Sequence, residues 1–134
     1  MSTFLRFLPT IGRILLGLPF FGFGLMIFIH PLPTPPEVAP AARAFSEALA
    51  ATGYMMPMIG MVQVVCGALL VTNRFVPLAL LLLAPFLVNS VVFHVVLERT
   101  GLVPALVFTA LLLAQAWLYR GTFAAVLKAK NSVG

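Results

Sequence analysis

The sequence predicts an all-α integral membrane protein: one four-helix bundle domain over residues 1–134, with a short interfacial helix on its external side. Hydrophobic residues make up 62% of the chain and charged residues 8%, with mean hydropathy +1.13. A soluble domain of this size needs a far larger charged share to cover its surface. Four apolar stretches, at residues 10–29, 54–71, 75–97 and 102–119, are each close to the roughly 20 residues that cross a bilayer as a helix. The segments between them carry the turn and helix-breaking residues expected at helix ends.

The first stretch follows Arg6 and Arg13, which also suits a signal peptide. The nearest small-x-small sequence, "APA" at 39–41, lies beyond a proline-rich run and too far from the apolar core for cleavage, so the stretch reads as a span. It ends at His30. "PLPTPPEVAP" then holds five prolines in ten residues and should run as an extended polyproline path, because Pro fixes φ and lacks an N–H. From residue 40 to 52, Ala41, Phe45, Ala48 and Leu49 recur at helical spacing, with Gly53 as a stop. This predicts a surface helix with Phe45 and Leu49 turned toward the membrane. In the third span, Pro85 removes the bond to the Leu81 carbonyl and should bend the helix. Gly17, Gly22 and Gly24 in the first span, and Gly60 and Gly67 in the second, allow close helix approach or leave room for a ligand.

With the N-terminus inside, Arg6, Arg13, Arg74, Arg120, Lys128 and Lys130 fall on one side, and Arg43 and Arg99 lie opposite with all the acids. The positive-inside rule then puts both termini in the cytoplasm, with Trp117 and Tyr119 at the inner interface and Tyr54 at the outer one. The net charge of +5 is scattered over span ends, so nucleic acid is not expected as a partner. The single cysteine, Cys66, rules out dithiol chemistry within one chain.

The residues that ask for explanation are the polar ones inside the spans. At 1.5 Å of rise per residue, Gln63 and Asn89 each lie roughly 14 Å from the external surface. An unpaired amide in hydrocarbon is costly, so both are expected to face the interior, either as interhelical glue worth about 1 kcal/mol or as ligand contacts. Ser90, His94 and Glu98 form one helical stripe, and His30 ends the first span on the same side. His94 and Glu98 are the candidates for proton handling, while Gln63, Asn89, His94 and His30 are the candidate ligand-binding residues. The alternative is an interfacial His94 bonded to Glu98 or to a carbonyl, with His30 marking a helix end. Met55, Met56, Met58 and Met61 offer soft donors suited to Cu(I). Met is also the usual filler of helix contacts, and no MxxxM or HxxxH pattern shares one face, so no metal site is expected.

"RILLGLPFFGFGL", "ATGYMMPMIGMVQVVCGALLV" and "NRFVPLALLLLAPFLVNSVVFH" together resemble the DoxX-like family of small four-helix bacterial membrane proteins. The likeness runs from about residue 13 to residue 126. It rests on the Arg-led, Gly-containing first helix, on Gly60, Gln63 and Gly67 in the second, and on the Asn and His of the third. The second helix of the family commonly carries Glu where this chain has Gln63, so a role needing charge there is not implied. The resemblance implies partnership with redox systems, such as the membrane subunit of a thiosulfate:quinone oxidoreductase.

Three functions are open on the sequence. One is a non-catalytic membrane component that binds lipid or a redox enzyme subunit, with a homodimer plausible for so small a bundle. Another is a site, enzymatic or not, for a quinone or lipid-like molecule in the outer half of the bundle. A channel is the weakest, since no charged ring lies at midplane.

Overall fold

The computed structural model describes residues 2–29, 38–130 and 132–133. His30 and most of the proline-rich run lie outside the described residues. The elements are α1 (Ser2–Ile29), α2 (Pro40–Ala51), α3 (Met55–Val71), α4 (Val76–Val96), a 3₁₀ turn (Arg99–Gly101), α5 (Leu102–Leu118) and α6 (Arg120–Val126). No strand occurs among the described residues. Three helices are long and apolar enough to cross a membrane, or four if α2 and α3, bent from each other by 90°, count as one span.

The main packing seam joins α1 to α3, and α4 and α5 complete the contacts, α4 against α3 and α5 against α1 and α4. Glycines at matching seven-residue intervals make the seam close. A Cβ on Gly24 would lie 2.7 Å from the Gly60 carbonyl oxygen and 2.8 Å from the Gln63 Cβ. One turn-pair further along, a Cβ on Gly17 would lie 2.7 Å from the Leu70 Cβ, and one on Gly67 2.5 Å from the Phe21 nitrogen. Both helices run antiparallel here, with bare backbones in contact, as small residues allow where the surrounding medium is as apolar as the side chains. Gly22 differs: nothing lies within 4 Å of its would-be Cβ.

Leu16, Leu70, Leu80 and Leu83 fill the centre. Much of the outside is equally apolar, with Leu18, Val88, Val103 and Leu113 all more than half exposed. An exterior of this kind suits acyl chains and not water.

Two boundaries differ from expectation. α1 begins at Ser2, eight residues before the predicted start, and carries Pro9 and Pro19 within it. At 28 residues it is about 42 Å long, more than the ~30 Å hydrocarbon layer. The apolar run marks the part inside lipid, while the helix continues beyond it. α6 lies past the last predicted span; it follows Tyr119, where α5 closes.

The corner between α2 and α3 is built by "ATG" at 51–53. Gly53 takes φ +75, the left-handed stop expected of it. The Thr52 hydroxyl donates to the Leu49 carbonyl at 2.7 Å and accepts from the Met55 N–H at 3.1 Å. One side chain thus closes one helix and opens the next. At the far end of α3, Asn73 and Phe75 both adopt positive φ, 57 and 49, conformations that Asn tolerates and a bulky aromatic rarely does.

Candidate functional site

A cavity of about 390 Å³ opens in the half of the molecule that carries α2, walled by α1, α3, α4 and α5. Its lining is mostly apolar, with Phe20, Phe23, Phe86 and Phe108 among it. Phe20 meets Phe86 and Phe108 edge-on, with ring centroids 5.7 and 5.4 Å apart. The polar side chains on this wall are Gln63, Ser90 and His94. A second cavity of about 270 Å³ lies beneath α2, where Phe45 and Leu49 reach α3 and α4. Gln63, Ser90, Phe86, Met56 and Ile27 line both, so one wall divides two chambers.

Gln63 is placed by the glycine seam. Gly24 has no side chain where the Gln63 Cβ passes, so the amide is carried in from the helix contact itself. Only 5% of the residue is exposed, and its Oε1 has no hydrogen-bond partner among the described residues. A buried amide oxygen left alone costs about 1–3 kcal/mol, which a ligand with a matching group would remove.

His94 sits on the same wall through a different device. Its Nδ1 is 2.8 Å from the main-chain oxygen of Glu98. Its ring leans against Gly101, where any Cβ would overlap it, and meets Phe93 edge-on at 5.1 Å. A carbonyl can only accept, so Nδ1 carries the proton, and the tautomer compatible with that bond has its lone pair on Nε2.

Two expectations need correction. Glu98 does not pair with His94 through its carboxylate. α4 ends at Val96, and Glu98 turns to an extended φ of −151, which takes its side chain off the helical stripe. Its Oε2 accepts from the Ala39 N–H at 2.8 Å and its Oε1 from the Thr100 N–H at 3.2 Å. These bonds, the Ala39 one first, hold its carboxyl below the ordinary value of 4.5. Glu98 is therefore a tie between the start of α2 and the α4–α5 turn.

The second correction concerns Asn89, expected to face the interior beside Gln63. It is exposed and lies at the edge of the chamber under α2, and it does not donate to the Gln63 oxygen. Depth along the helix brings the two amides to one level, but 100° of rotation per residue gives the inward place to Ser90 instead. His30 lies outside the described residues. The methionines do not converge either: Met56 lines the cavity, while Met58 and Met61 are exposed. Among the described residues no group of three His, Cys, Asp or Glu side chains is placed to hold a metal ion.

Arg13 and Gln115 are not site candidates on the sequence, yet both are buried. Arg13 donates to the Leu70 carbonyl and to the Thr10 hydroxyl, each at 3.2 Å. α3 has no basic residue in its last turn, so Arg13 supplies from α1 the cation that its terminal carbonyls favour. Gln115 donates to the Pro9 carbonyl at 3.3 Å, over the bare backbone of Gly12. The only hint in the sequence is their polarity beside apolar runs.

The fold and site define a small helical membrane protein with an internal, mostly apolar cavity. The sequence profile of the DoxX family matches residues 8–95, more than half of the chain. The protein belongs to the DoxX family. No curated protein and no solved structure matches it. The matched stretch spans α1 to α4 and includes Gln63, Ser90 and His94, while the α5 wall of the cavity lies beyond it.

Proposed function

We propose that this protein is a four-span component of the bacterial cytoplasmic membrane that holds a small apolar molecule in the outer half of its bundle and serves, without catalysis of its own, as the membrane partner of a redox system. The observation that carries the ligand reading is Gln63: only 5% exposed, with an oxygen that nothing among the described residues satisfies, on the wall shared by both chambers. Family membership supports the redox association. The sidedness of the basic residues supports cytoplasmic termini. A volume of about 390 Å³ lies within the range of sites for small organic ligands, and a quinone ring is of a size to enter it. Proton relay from His94 to the Glu98 carboxylate has no geometric support, because that carboxylate is engaged elsewhere.

The test is native mass spectrometry of the purified protein, with a solvent extract of the same sample. A stoichiometric apolar molecule is expected. Gln63→Leu and His94→Ala should each release it while the helical content by circular dichroism stays unchanged. Retention by both variants, or an empty wild-type protein from a membrane preparation, refutes the reading.

A further inference from the structure

The chemistry of the cavity wall says more about the ligand than its size does. Given the reading of the cavity as a ligand site, on which this inference rests, we propose that the site selects molecules whose polar group is a hydroxyl that donates a hydrogen bond, over molecules of the same shape whose oxygen can only accept.

His94 sets this preference. Its Nδ1–H is committed to the Glu98 carbonyl at 2.8 Å, so in the tautomer this bond selects the imidazole offers the ligand the Nε2 lone pair and no proton. The ring is held in that orientation from two sides. Gly101 presents bare backbone to it, with a would-be Cβ 2.7 Å from both ring nitrogens, and Phe93 stands edge-on at 5.1 Å. Turning the ring over would break the bond to Glu98 and set Cδ2 in place of Nδ1 against the carbonyl.

Gln63 reinforces the preference without creating it. Its Oε1 lacks a donor, and rotation of the amide about its last torsion exchanges oxygen for NH₂ at either position. A hydroxyl, which donates and accepts, matches both orientations. An ether or ketone oxygen matches only the NH₂, and it leaves the His94 lone pair without a partner. Ser90 donates as readily as it accepts, so it does not discriminate. The remaining side chains of the wall, the phenylalanines among them, offer apolar surface. A phenolic ring therefore fits the lining: the ring against Phe20, Phe86 and Phe108, and its hydroxyl at His94.

Equilibrium dialysis of the full chain in nanodiscs, against empty nanodiscs of the same lipid, with 4-hexylphenol and its methyl ether, 4-hexylanisole, makes the test. The two probes share their ring and tail and differ in one donated proton. The phenol should bind at least about tenfold more tightly, the scale of one buried acceptor left without its donor. In His94→Phe, which keeps a ring and removes the acceptor, the ratio should shrink to within about twofold. Equal binding of both probes to the unaltered chain overturns the donor preference and leaves the cavity as a ligand site. Binding of neither above empty nanodiscs overturns both readings. The decisive comparison uses the unaltered protein, so it does not depend on the folding of any variant.

Discussion

Gly22 and Gly24 lie two positions apart on α1, yet only one of them touches another helix. An Ala at Gly24 would press into the Gly60 carbonyl and the Gln63 Cβ, backbone and a helix-bound carbon that cannot step aside. Gly24→Ala should cost about 1–3 kcal/mol, the usual range for overpacking, and should displace Gln63 as well. Gly22→Ala meets nothing within 4 Å and should be neutral or stabilise by up to about 1 kcal/mol through helix propensity. Unfolding titrations of the two variants in mixed micelles separate these outcomes, and equal destabilisation would refute the seam. Arg13 permits a second test at the same scale. It is legible in the sequence only as one more positive charge near the inner surface, because nothing local records that Leu70, 57 positions later, lies in the last turn of a helix without a cation of its own. Arg13→Gln should lose about 1.5–3 kcal/mol, the worth of hydrogen bonds to a charged group, in the same titration. A surface charge would lose almost nothing.

At the scale of elements, hydropathy makes the spans legible and leaves their rotation unreadable. The predicted stretches at 54–71, 75–97 and 102–119 agree with α3, α4 and α5 to within a residue or so at each end, because an apolar run of set length is what a bilayer requires. α3 and α4 are apolar on every side, so no stripe marks the inward face. The cost of a bare amide in lipid places Gln63 correctly. The same rule misplaces Asn89, which lies at the rim of a chamber that α2 covers, a location invisible without the tertiary fold. Glu98 departs from expectation for a related reason: the i, i+4 relation to His94 requires a helix through residue 98, and α4 stops at Val96. The role it does have is testable. Glu98 holds the N–H of Ala39, the residue before α2, and its carboxyl is held below 4.5 chiefly by that bond. A depressed folded value means the tie is at full strength above the ordinary value and is lost as pH falls through the lowered one. The protection factor of the Ala39 amide, its exchange by NMR relative to the intrinsic rate at each pH, should be high at neutral pH and should fall as the carboxyl protonates. In Glu98→Gln protection at Ala39 should be low throughout and show no such step; a protection factor at Ala39 that does not change with pH in the unaltered chain counts against the tie.

For the whole molecule, the two ends of the bundle differ in charge more than in shape. Arg74 lies in the α3–α4 turn and Arg120, Lys128 and Lys130 follow α5, all at the end away from α2, while Glu47, Glu98, Arg43 and Arg99 gather at the α2 end. Trp117 is 68% exposed just before α6, with the Arg120 guanidinium 5.2 Å above its ring, an arrangement suited to the boundary between headgroups and acyl chains. If the positive-inside bias sets direction, the α2 end faces out and the cavity opens toward the outer leaflet. Cys66 makes this measurable, because the only native thiol is fully buried and stays silent toward a charged maleimide. In intact cells, Ala51→Cys on α2 should label readily, whereas Thr72→Cys and Ser132→Cys, at exposed positions of the other end, should label only after the membrane is opened. The reverse pattern would turn the molecule over and move the cavity to the inner leaflet, where any ligand would arrive from the cytoplasmic side. Labelling of all three without lysis would mean that the apolar exterior is covered by something other than a sealed bilayer.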